Sequence, residues 1–347
     1  MNTIKFLDLS GFGASGKGAV IDLLREFNEK YCLPHYSFEF ALLRIKNGLV
    51  NLYQDLIENW SPSRSDTAIK QFIKLTTEIA QNPKWFNLLG RVLSTGMRYN
   101  HYFNNEFINI TRQYTDQLIK CQHIGLSSYP FQNRNKLNNS IRKLIYRFYP
   151  DMHFFSEEMF FTIYERENFL KITNIYLEKL FKEIIYFNNN AKTMVLLNAC
   201  EPYNPKLSLD LLGNAQQIII DRDPRDLYLS TCFNNWFSKT QGLFSGSEDI
   251  KNYVYRYRTL RERSAVNCPN LDSRILMIYF EDLVLDYDKT RCKIYKFLGE
   301  DATVHINPKK YFKPEDSMSG VGLWKNTQRK FEIDYIYEHL KEYCRDY

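Results

Sequence analysis

The sequence predicts an α/β fold: a parallel sheet flanked by helices, with a large, mostly helical insertion. Residues 4–9 form a short apolar run that leads through glycines into a segment with helical spacing, which is typical of a strand, a turn and a helix. Apolar runs bounded by turn residues return at 193–199, 216–221 and 274–280, as expected of buried parallel strands. Between these two regions, 41–190 is helical in period and poor in strands.

The turn between the first strand and the first helix is rich in glycine, GFGASGKG at 11–18. Gly11, Gly16 and Lys17 fit the phosphate-binding pattern G-x-x-x-x-G-K-[ST], in which backbone N–H groups at a helix N-terminus bind phosphate. The pattern fails at Gly18, where a hydroxyl that binds Mg²⁺ would stand. The sequence therefore predicts a P-loop-like anion site built from seven consecutive residues: Gly13, Ala14, Ser15, Gly16, Lys17, Gly18 and Ala19.

A second strand is predicted at 35–40, HYSFEF, which would complete a βαβ start to the sheet. Glu39 lies at the carboxyl end of this predicted strand. Because open α/β sheets bind ligands beyond the carboxyl ends of their strands, Glu39 is a candidate site residue. The bland alternative is a solvated or ion-paired residue at a strand end.

The remaining helices are predicted from apolar residues at intervals of three and four. The spacing is clearest at 66–81 and 169–187, and 287–300 reads as a helix with Gly299 as its C-cap. No repeat, low-complexity tract or linker divides the chain. We therefore expect one domain over 1–347, with the helical insertion on its acceptor side.

Composition narrows the classes of function. The chain has 347 residues, of which 44% are hydrophobic and 25% charged, the balance of a globular protein. Its formal charge of +6 is not gathered into a Lys/Arg block, which argues against a nucleic-acid partner and is compatible with a small polyanionic ligand. Seven cysteines without a CxxC pair, six dispersed histidines and an N-terminus without a signal-peptide core predict a cytoplasmic protein with no metal site. No apolar run is long enough to span a membrane, so any membrane association would be peripheral. The sequence does not indicate the oligomeric state.

A second candidate phosphate site is IIIDRDPRDLYLS, at 218–230. A buried strand ends here in a charged turn, and helix-like sequence follows. Arg222 at the strand tip and Ser230 two helical turns later would supply a guanidinium and a hydroxyl to one phosphate. Two alternatives stay open: Asp221 as a Walker-B ligand of Mg²⁺, or charges that merely cap a helix.

Two further segments matter by their order along the chain. The first, 279–300, is a strand end followed by a helix, and the second is the loop MSGVGLWKN at 318–326. Glycines beside Trp324 and Lys325 suit a mobile flap that carries a ring and a cation. Alone, each segment also reads as ordinary structure.

Together, the four segments resemble the nucleotide-dependent sulfotransferase family, whose donor is 3′-phosphoadenosine 5′-phosphosulfate (PAPS). The most specific match is 222–230, R-D-P-R-D-L-Y-L-S, to the family's 3′-phosphate motif R-[ND]-P-[RK]-D-x-x-x-S. A strand ending Y-E-D-L before a helix ending F-L-G corresponds to 279–299, with Phe280 intervening. The family's late W-K-N is present at 324–326.

The resemblance covers 4–40 and 193–327 and departs from the family at the first loop. Cytosolic members usually read P-K-S-G-T-T there, with the lysine two residues before the glycine. Here Ala14 holds that place, and the lysine is Lys17, directly after Gly16. The stretch from SGFGASGKG to FEFALLR is more similar to bacterial sulfotransferases encoded with surface-polysaccharide genes.

The resemblance implies a role for each candidate residue. Lys17 would be the cation at the leaving oxygen, and Glu39 the base for the acceptor hydroxyl, since some family members use a glutamate and others a histidine. The transfer needs no Mg²⁺, so Gly18 is compatible with it. Other candidates for the base are His35, His101, His123 and Glu201, and the residues implied to bind PAPS, besides those of the loop, are Arg222, Ser230, Tyr279, Gly322, Trp324 and Lys325.

The resemblance also implies a carbohydrate hydroxyl as acceptor, on a polysaccharide or glycolipid. The basic stretch 255–263 would suit an anionic glycan, although a solvated amphipathic helix explains it equally well. Two other functions remain open. A P-loop kinase is favoured by Lys17 and Asp221 and disfavoured by Gly18. A non-catalytic nucleotide-binding module is disfavoured because both Lys17 and Glu39 are present.

Overall fold

The computed structural model describes residues 4–34, 38–81, 85–86, 91–92, 97–126, 136–149, 156–187, 190–233, 250–264 and 272–347. Contacts within the chain separate two compact units. The sheet unit comprises Met1–Ala41, Asn188–Asp210 and Asn214–Tyr347, and the helical unit comprises Leu42–Phe187 and Leu211–Gly213. The helical unit spans nearly the same residues as the predicted insertion.

The described strands are β1 Lys5–Gly11, β2 Tyr31–Cys32, β3 Trp85–Phe86, β4 Arg91–Val92, β5 Cys121–Leu126, β6 Ser156–Phe161, β7 Thr193–Leu197, β8 Ala215–Asp221 and β9 Ile275–Tyr279. The described helices are α1 Lys17–Arg25, α2 Leu49–Tyr53, α3 Pro62–Ala80, α4 Tyr99–Tyr102, α5 Phe107–Leu118, α6 Lys136–Phe148, α7 Arg166–Lys182, α8 Lys206–Leu212, α9 Pro224–Phe233, α10 Ile250–Glu262, α11 Phe280–Leu285, α12 Tyr287–Leu298, α13 Pro314–Ser317 and α14 Lys330–Leu340.

A five-stranded parallel sheet organises the sheet unit, in the order β2-β7-β1-β8-β9. Its central strand β1 pairs on both sides, and Leu7 lies opposite Val195 on β7 and Gln216 on β8. The predicted α/β class and parallel sheet are thereby confirmed. The carboxyl ends of β1, β7 and β8 meet at one edge, where the chain continues into the glycine loop, the turn after Leu197 and the charged turn after Asp221.

The second strand lies elsewhere than predicted. β2 is Tyr31–Cys32, and 38–40 have no regular structure, while 35–37 lie outside the described residues. Pro34 follows β2 and has no N–H to donate to a ladder, which favours the end of the strand. The alternating apolar residues that suggested a strand, Phe38 and Phe40, are buried in the core from a loop. The prediction that Glu39 ends a strand was therefore wrong.

Helix α1 is held against the sheet by one apolar face. Val20, Leu23 and Leu24 are buried in the cluster that includes Leu7 and Leu9 of β1. Burying side chains of this size stabilises the fold by roughly 1.5–3 kcal/mol each. This packing fixes the N-terminus of α1 beside the carboxyl end of β1.

A buried carboxyl in the middle of the sheet fixes the turn after β7. Asp8 of β1 accepts hydrogen bonds from the N–H groups of Ala199 and Cys200, at 2.8 and 3.2 Å, and from Nε2 of Gln217 at 3.1 Å. Burial raises the pKa of Asp8 to about 6, although these donors oppose the rise. The hydrogen bonds hold the residues that follow Asn198 against the central strand.

In the helical unit, both strongly periodic segments form helices. The helix predicted at 66–81 is α3, which begins earlier because the Ser61 side chain accepts a hydrogen bond from the N–H of Arg64 and Pro62 occupies the first turn. The segment 169–187 contains most of α7.

The same unit also contains an antiparallel hairpin that the sequence did not predict. Strands β5 and β6 pair from Cys121 opposite Phe161 to Leu126 opposite Ser156, and the chain between them contains α6. Neither strand shows the sustained apolar alternation that sequence reading depends on. None of the described helices combines the length and apolarity that a membrane span requires.

Candidate active site

The glycine loop joins the end of β1 to the start of α1. Gly13, Ala14 and Gly16 have positive φ angles of 80°, 45° and 95°. Residues that alternate between left- and right-handed conformations turn successive N–H groups toward one concave surface, which is typical of anion-binding loops. Helix α1 begins directly afterwards at Lys17 without a side-chain cap, so its first N–H groups also face the loop.

At two positions of this loop, neighbouring atoms lie too close for any residue with a Cβ, so glycine is required. A Cβ on Gly16 would lie 2.3 Å from the ring of Phe280, and one on Gly11 would lie 2.8 Å from the carbonyl oxygen of Ile220. The loop is therefore packed tightly against the end of β8 and the start of α11. At Gly18, by contrast, a Cβ would meet nothing within 4 Å. Space does not explain why the Mg²⁺-binding hydroxyl of a kinase is absent there.

Lys17 and Glu39 face each other beside this loop. Nζ of Lys17 lies 3.7 Å from Oε1 of Glu39, and both side chains are partly exposed. The same Oε1 accepts a hydrogen bond of 2.6 Å from Nδ2 of Asn198, the residue after β7. Asn198 has a left-handed backbone, with φ of 48°. The structure thus brings together the two residues that the sequence nominated for chemistry and adds an amide that orients the carboxylate.

Arg222 contacts the glycine loop and the late loop at once. Its Nη1 donates to the carbonyl of Ala14 at 3.2 Å, its Nη2 donates to the carbonyl of Gly320, and the guanidinium lies 4.9 Å from the Phe280 ring centre. Within the described residues, the buried Nε of Arg222 and the buried Oγ of Ser15 have no hydrogen-bond partner. Unsatisfied buried polar atoms are rare in proteins, and here they lie in and beside the predicted phosphate cradle.

The charged residues after β8 divide between structure and site. Asp221 is buried and pairs with Arg261 of α10, whose Nη2 and Nε lie at 2.6 and 3.0 Å from its oxygens. The carboxylate that the kinase alternative assigns to Mg²⁺ is therefore already neutralised. Asp223 pairs with Arg225 in the same two-pronged way, at 2.7 and 3.0 Å. Part of the basic stretch 255–263 is thus structural, through Arg261.

The loop 318–326 is anchored by Asp226 in the first turn of α9. The N–H groups of Gly322 and Trp324 donate to its carboxylate at 2.7 and 3.2 Å, and the hydroxyl of Tyr347 donates to it at 2.8 Å. Burial raises the pKa of Asp226, and these three donors oppose the rise. The loop is held by direct hydrogen bonds in this structure.

The aromatic and cationic candidates of this region already have neighbours. The guanidinium of Arg225 lies 3.8 Å from the ring centre of Trp324. Nζ of Lys325 donates to the backbone oxygen of Tyr347 at 2.6 Å. Tyr279, at the end of β9, lies under the guanidinium of Arg345 at 3.9 Å. One face of each ring is therefore covered by an arginine.

The other candidates lie as follows. Ser230 is partly buried on α9, two turns after Pro224, and its predicted convergence with Arg222 stays a prediction. Glu201 is exposed in the turn after β7. His101 and His123 belong to the helical unit, whereas Lys17 and Glu39 belong to the sheet unit; His35 lies outside the described residues. No group of three or more His, Cys, Asp or Glu able to hold a metal occurs among the residues that the structure describes.

Three residues of this region escaped the sequence reading: Asn198, Asp226 and Glu281. The first two carried a usable signal, because each directly follows a strand end or stands inside the 3′-phosphate motif. Glu281 also stands inside a quoted motif, as the glutamate of Y-E-D-L, but the motif did not indicate its hydrogen bond to a distant segment. Its Oε1 accepts from the N–H of Asp223 at 2.9 Å.

Glu281 is almost fully buried, and within the described residues its Oε2 has no hydrogen-bond partner. Burial raises its pKa to about 7, and the N–H of Asp223 partly opposes the rise. The folded-state pKa of Glu281 lies above its unfolded value. The stability that the protonated carboxyl contributes is therefore fully present at low pH and is lost as pH rises through about 7. The ionised side chain therefore weakens the fold next to the charged turn after β8.

Glu281→Gln is expected to relieve this loss, since the amide keeps an acceptor for Asp223 and has no charge to bury. The advantage of the variant over the wild type in unfolding free energy should grow by roughly 2–3 kcal/mol between pH 5 and pH 8. Urea denaturation at both pH values measures it, with Glu338→Gln as an exposed control on α14. A difference in unfolding free energy that does not change with pH would contradict the raised pKa of Glu281.

Comparison with known proteins identifies relatives of this chain. The sequence model described as "Sulfotransferase family" matches residues 49–303. This match includes most of the helical unit and 222–230, and it excludes the glycine loop and Trp324. No curated protein sequence is detectably similar to the chain.

Several solved sulfotransferase structures match this chain at low identity. Sulfotransferase STF1 from Mycobacterium tuberculosis is 12% identical, with 98% of this chain and 77% of that one covered and a TM-score of 0.39. STF9 from Mycobacterium avium is 14% identical, with 99% of this chain and 76% of that one covered and a TM-score of 0.41. The sulfotransferase domain of the curacin biosynthetic pathway is 12% identical, with 97% of each chain covered and a TM-score of 0.41. The family match rests on the sequence model and not on these structures.

Proposed function

Because the chain belongs to the sulfotransferase family, we propose that it moves the sulfuryl group of PAPS to a hydroxyl of a carbohydrate acceptor, with Lys17 and Glu39 as its catalytic residues. The observation that carries the proposal is the position of these two side chains. A cation and a carboxylate lie 3.7 Å apart beside a phosphate-type loop, so one can face a leaving oxygen while the other faces an attacking hydroxyl.

The residues present fit a donor with two anionic groups. The glycine loop offers N–H groups, the N-terminus of α1 and the Lys17 ammonium to the phosphosulfate. Ser15 Oγ and Arg222 Nε are buried polar atoms without partners among the described residues, and a bound anion would satisfy such atoms. We assign Arg222 and Ser230 to the 3′-phosphate, and Tyr279, Gly322, Trp324 and Lys325 to the nucleotide.

The bound donor supplies a sulfuryl group whose sulfur is attacked by the acceptor oxygen while the bond to the 5′-phosphate oxygen breaks. Glu39 accepts the proton of the acceptor hydroxyl on its carboxylate. Asn198 holds that carboxylate through its amide at 2.6 Å, which limits its rotation. Lys17 lies at the N-terminus of α1, where its charge and the helix dipole both favour negative charge on the departing oxygen.

A kinase requires more than these residues offer. Gly18 provides no hydroxyl for Mg²⁺ although its surroundings leave room for one. Asp221, the Walker-B candidate, is paired with Arg261. Both observations favour sulfuryl transfer over phosphoryl transfer at the same loop.

The acceptor and the cellular location belong to the proposal as well. The assignment of a polysaccharide or glycolipid hydroxyl as acceptor rests on the resemblance of the first loop to those of bacterial sulfotransferases. Reduced cysteines favour the cytoplasm, and the described cysteines are free thiols.

The proposal is tested by transfer from labelled PAPS to a panel of glycan acceptors, in parallel reactions with and without EDTA. Labelled product from at least one glycan is expected, and the rate should be the same with and without the chelator. Transfer to phenols or sterols but to no glycan would refute the carbohydrate acceptor. A strict need for Mg²⁺ would move the assignment to a kinase.

Arg222→Ala and Ser230→Ala test the 3′-phosphate assignment. Each should weaken binding of 3′-phosphoadenosine 5′-phosphate (PAP) by about 10- to 150-fold, because a hydrogen bond to a charged group contributes roughly 1.5–3 kcal/mol. Binding of adenosine 5′-phosphosulfate, which lacks the 3′-phosphate, should change far less. Titration calorimetry with both ligands measures the difference, and equal losses would remove the assignment.

A further inference from the structure

Helix α6 carries an apolar stripe that faces outward. Ile141, Leu144, Ile145 and Phe148 follow the spacing i, i+3, i+4, i+7, which places them on one face. These residues are 49%, 58%, 40% and 68% exposed. On a helix of a globular protein such a stripe is normally turned to the core. The contrast with α3 of the same unit is direct, because its stripe residues Ile69 and Phe72 are fully buried.

The charged residues of the chain segment that contains this stripe have one sign. Residues 117–150 contain six Lys and Arg and no Asp or Glu, although the whole chain has 46 basic and 40 acidic residues. Lys143 and Arg147 of the helix are exposed. The apolar stripe therefore lies within a strongly basic segment, which selects for a negatively charged partner.

Helix α6 is too short to span a membrane, and its position in the chain is as follows. The helix lies in the connection between the paired strands β5 and β6, beyond the end of the hairpin at Leu126 and Ser156. Its 13 residues extend about 20 Å, less than the roughly 30 Å of a bilayer core. A short helix with Ile, Leu and Phe on one face and basic residues elsewhere is the type that lies in the plane of a membrane interface.

We propose that α6 docks the protein on an anionic lipid bilayer, with Ile141, Leu144, Ile145 and Phe148 inserted at the acyl boundary and Lys143 and Arg147 near the lipid phosphates. A second copy of the chain fits less well, because pairing two such stripes would bring the basic segments of both copies together. The inference does not depend on the proposed function, although a membrane position would suit a lipid-linked glycan.

The test is sedimentation of the full-length protein with vesicles of phosphatidylcholine alone and with vesicles containing 40% phosphatidylglycerol. Binding should be at least tenfold stronger to the anionic vesicles and should fall in high salt, because juxtamembrane charges act within a Debye length. Arg147→Glu should reduce it by roughly tenfold or more. The double variant Leu144→Ser, Phe148→Ser should reduce it on the same vesicles without loss of thermal stability.

Phe331→Ser is the matched control, since Phe331 is 72% exposed on α14 in the sheet unit; its binding should equal that of the wild type. Equal binding to both vesicle types, no binding to either, or full binding by the double variant would overturn the proposal. A wild-type dimer in solution that the double variant converts to monomer would assign the stripe to a second copy instead.

Discussion

Glu39→Gln lowers kcat by roughly 10²- to 10⁴-fold while the dissociation constant for PAP changes little, if Glu39 is the base. The amide keeps the size of the side chain and an oxygen that accepts the 2.6 Å hydrogen bond from Asn198. It cannot take a proton from the acceptor hydroxyl. The loss should therefore fall on the chemical step and leave donor binding almost unchanged.

Single-turnover transfer and calorimetric affinity for PAP measure the two quantities separately. Glu338→Gln, an exposed carboxylate on α14, serves as the matched control and should leave both unchanged. A Glu39→Gln enzyme with near-normal turnover would mean that the carboxylate near Lys17 is an ion-pair partner only. The base would then be sought first at His35 and His101.

Lys17→Met should give a comparable loss of kcat, roughly 10²- to 10³-fold, which is typical of removing one group that stabilises transition-state charge. The methionine keeps the length of the stem and removes the ammonium. PAP should also bind more weakly, because the charge already attracts the anion in the ground state. This weakening distinguishes Lys17→Met from Glu39→Gln.

Lys17→Arg is the informative companion variant, since it keeps the charge on a bulkier head and should retain more activity than the methionine variant. The double variant Lys17→Met, Glu39→Gln should lose less than the product of the two single losses, because both residues act on one transition state. Losses that multiply fully, with PAP affinity unchanged in Lys17→Met, would place Lys17 outside the donor site.

The loop, its helix and the strands beside it were predictable because their signals are local. A short apolar run, glycines at fixed spacing and Lys17 specify strand, turn and helix within 20 residues or so of chain. Strands β7, β8 and β9 were equally legible, because strands buried on both faces are continuous apolar runs bounded by turns.

The environment of Glu39 was not predictable for the opposite reason. Its position depends on a strand that ends before Pro34, and its orientation depends on Asn198, 159 residues later. The anchoring of Gly322 by Asp226 likewise joins residues 96 apart. Contacts of this kind follow from the order of strands in the sheet, which no local pattern encodes.

The hairpin that precedes and follows α6 was missed because its strands are only partly apolar. An exposed two-stranded ribbon is stabilised by cross-strand pairs more than by burial, so the periodicity that marks core strands is weak there. Helix α6 itself has strong periodicity, yet the sequence alone did not indicate that its apolar face is exposed.

The proposed PAPS site is tested most directly by a thermal-shift titration of the wild type and Arg222→Ala with PAP, ATP and Mg-ATP. A ligand that binds only the folded state adds about 2.7 kcal/mol of stability at a hundred times its dissociation constant. We expect PAP to raise the Tm of the wild type without magnesium, ATP and Mg-ATP to raise it less, and Arg222→Ala to lose most of the PAP effect. A larger rise with Mg-ATP than with PAP, dependent on the metal, would contradict the proposed PAPS site.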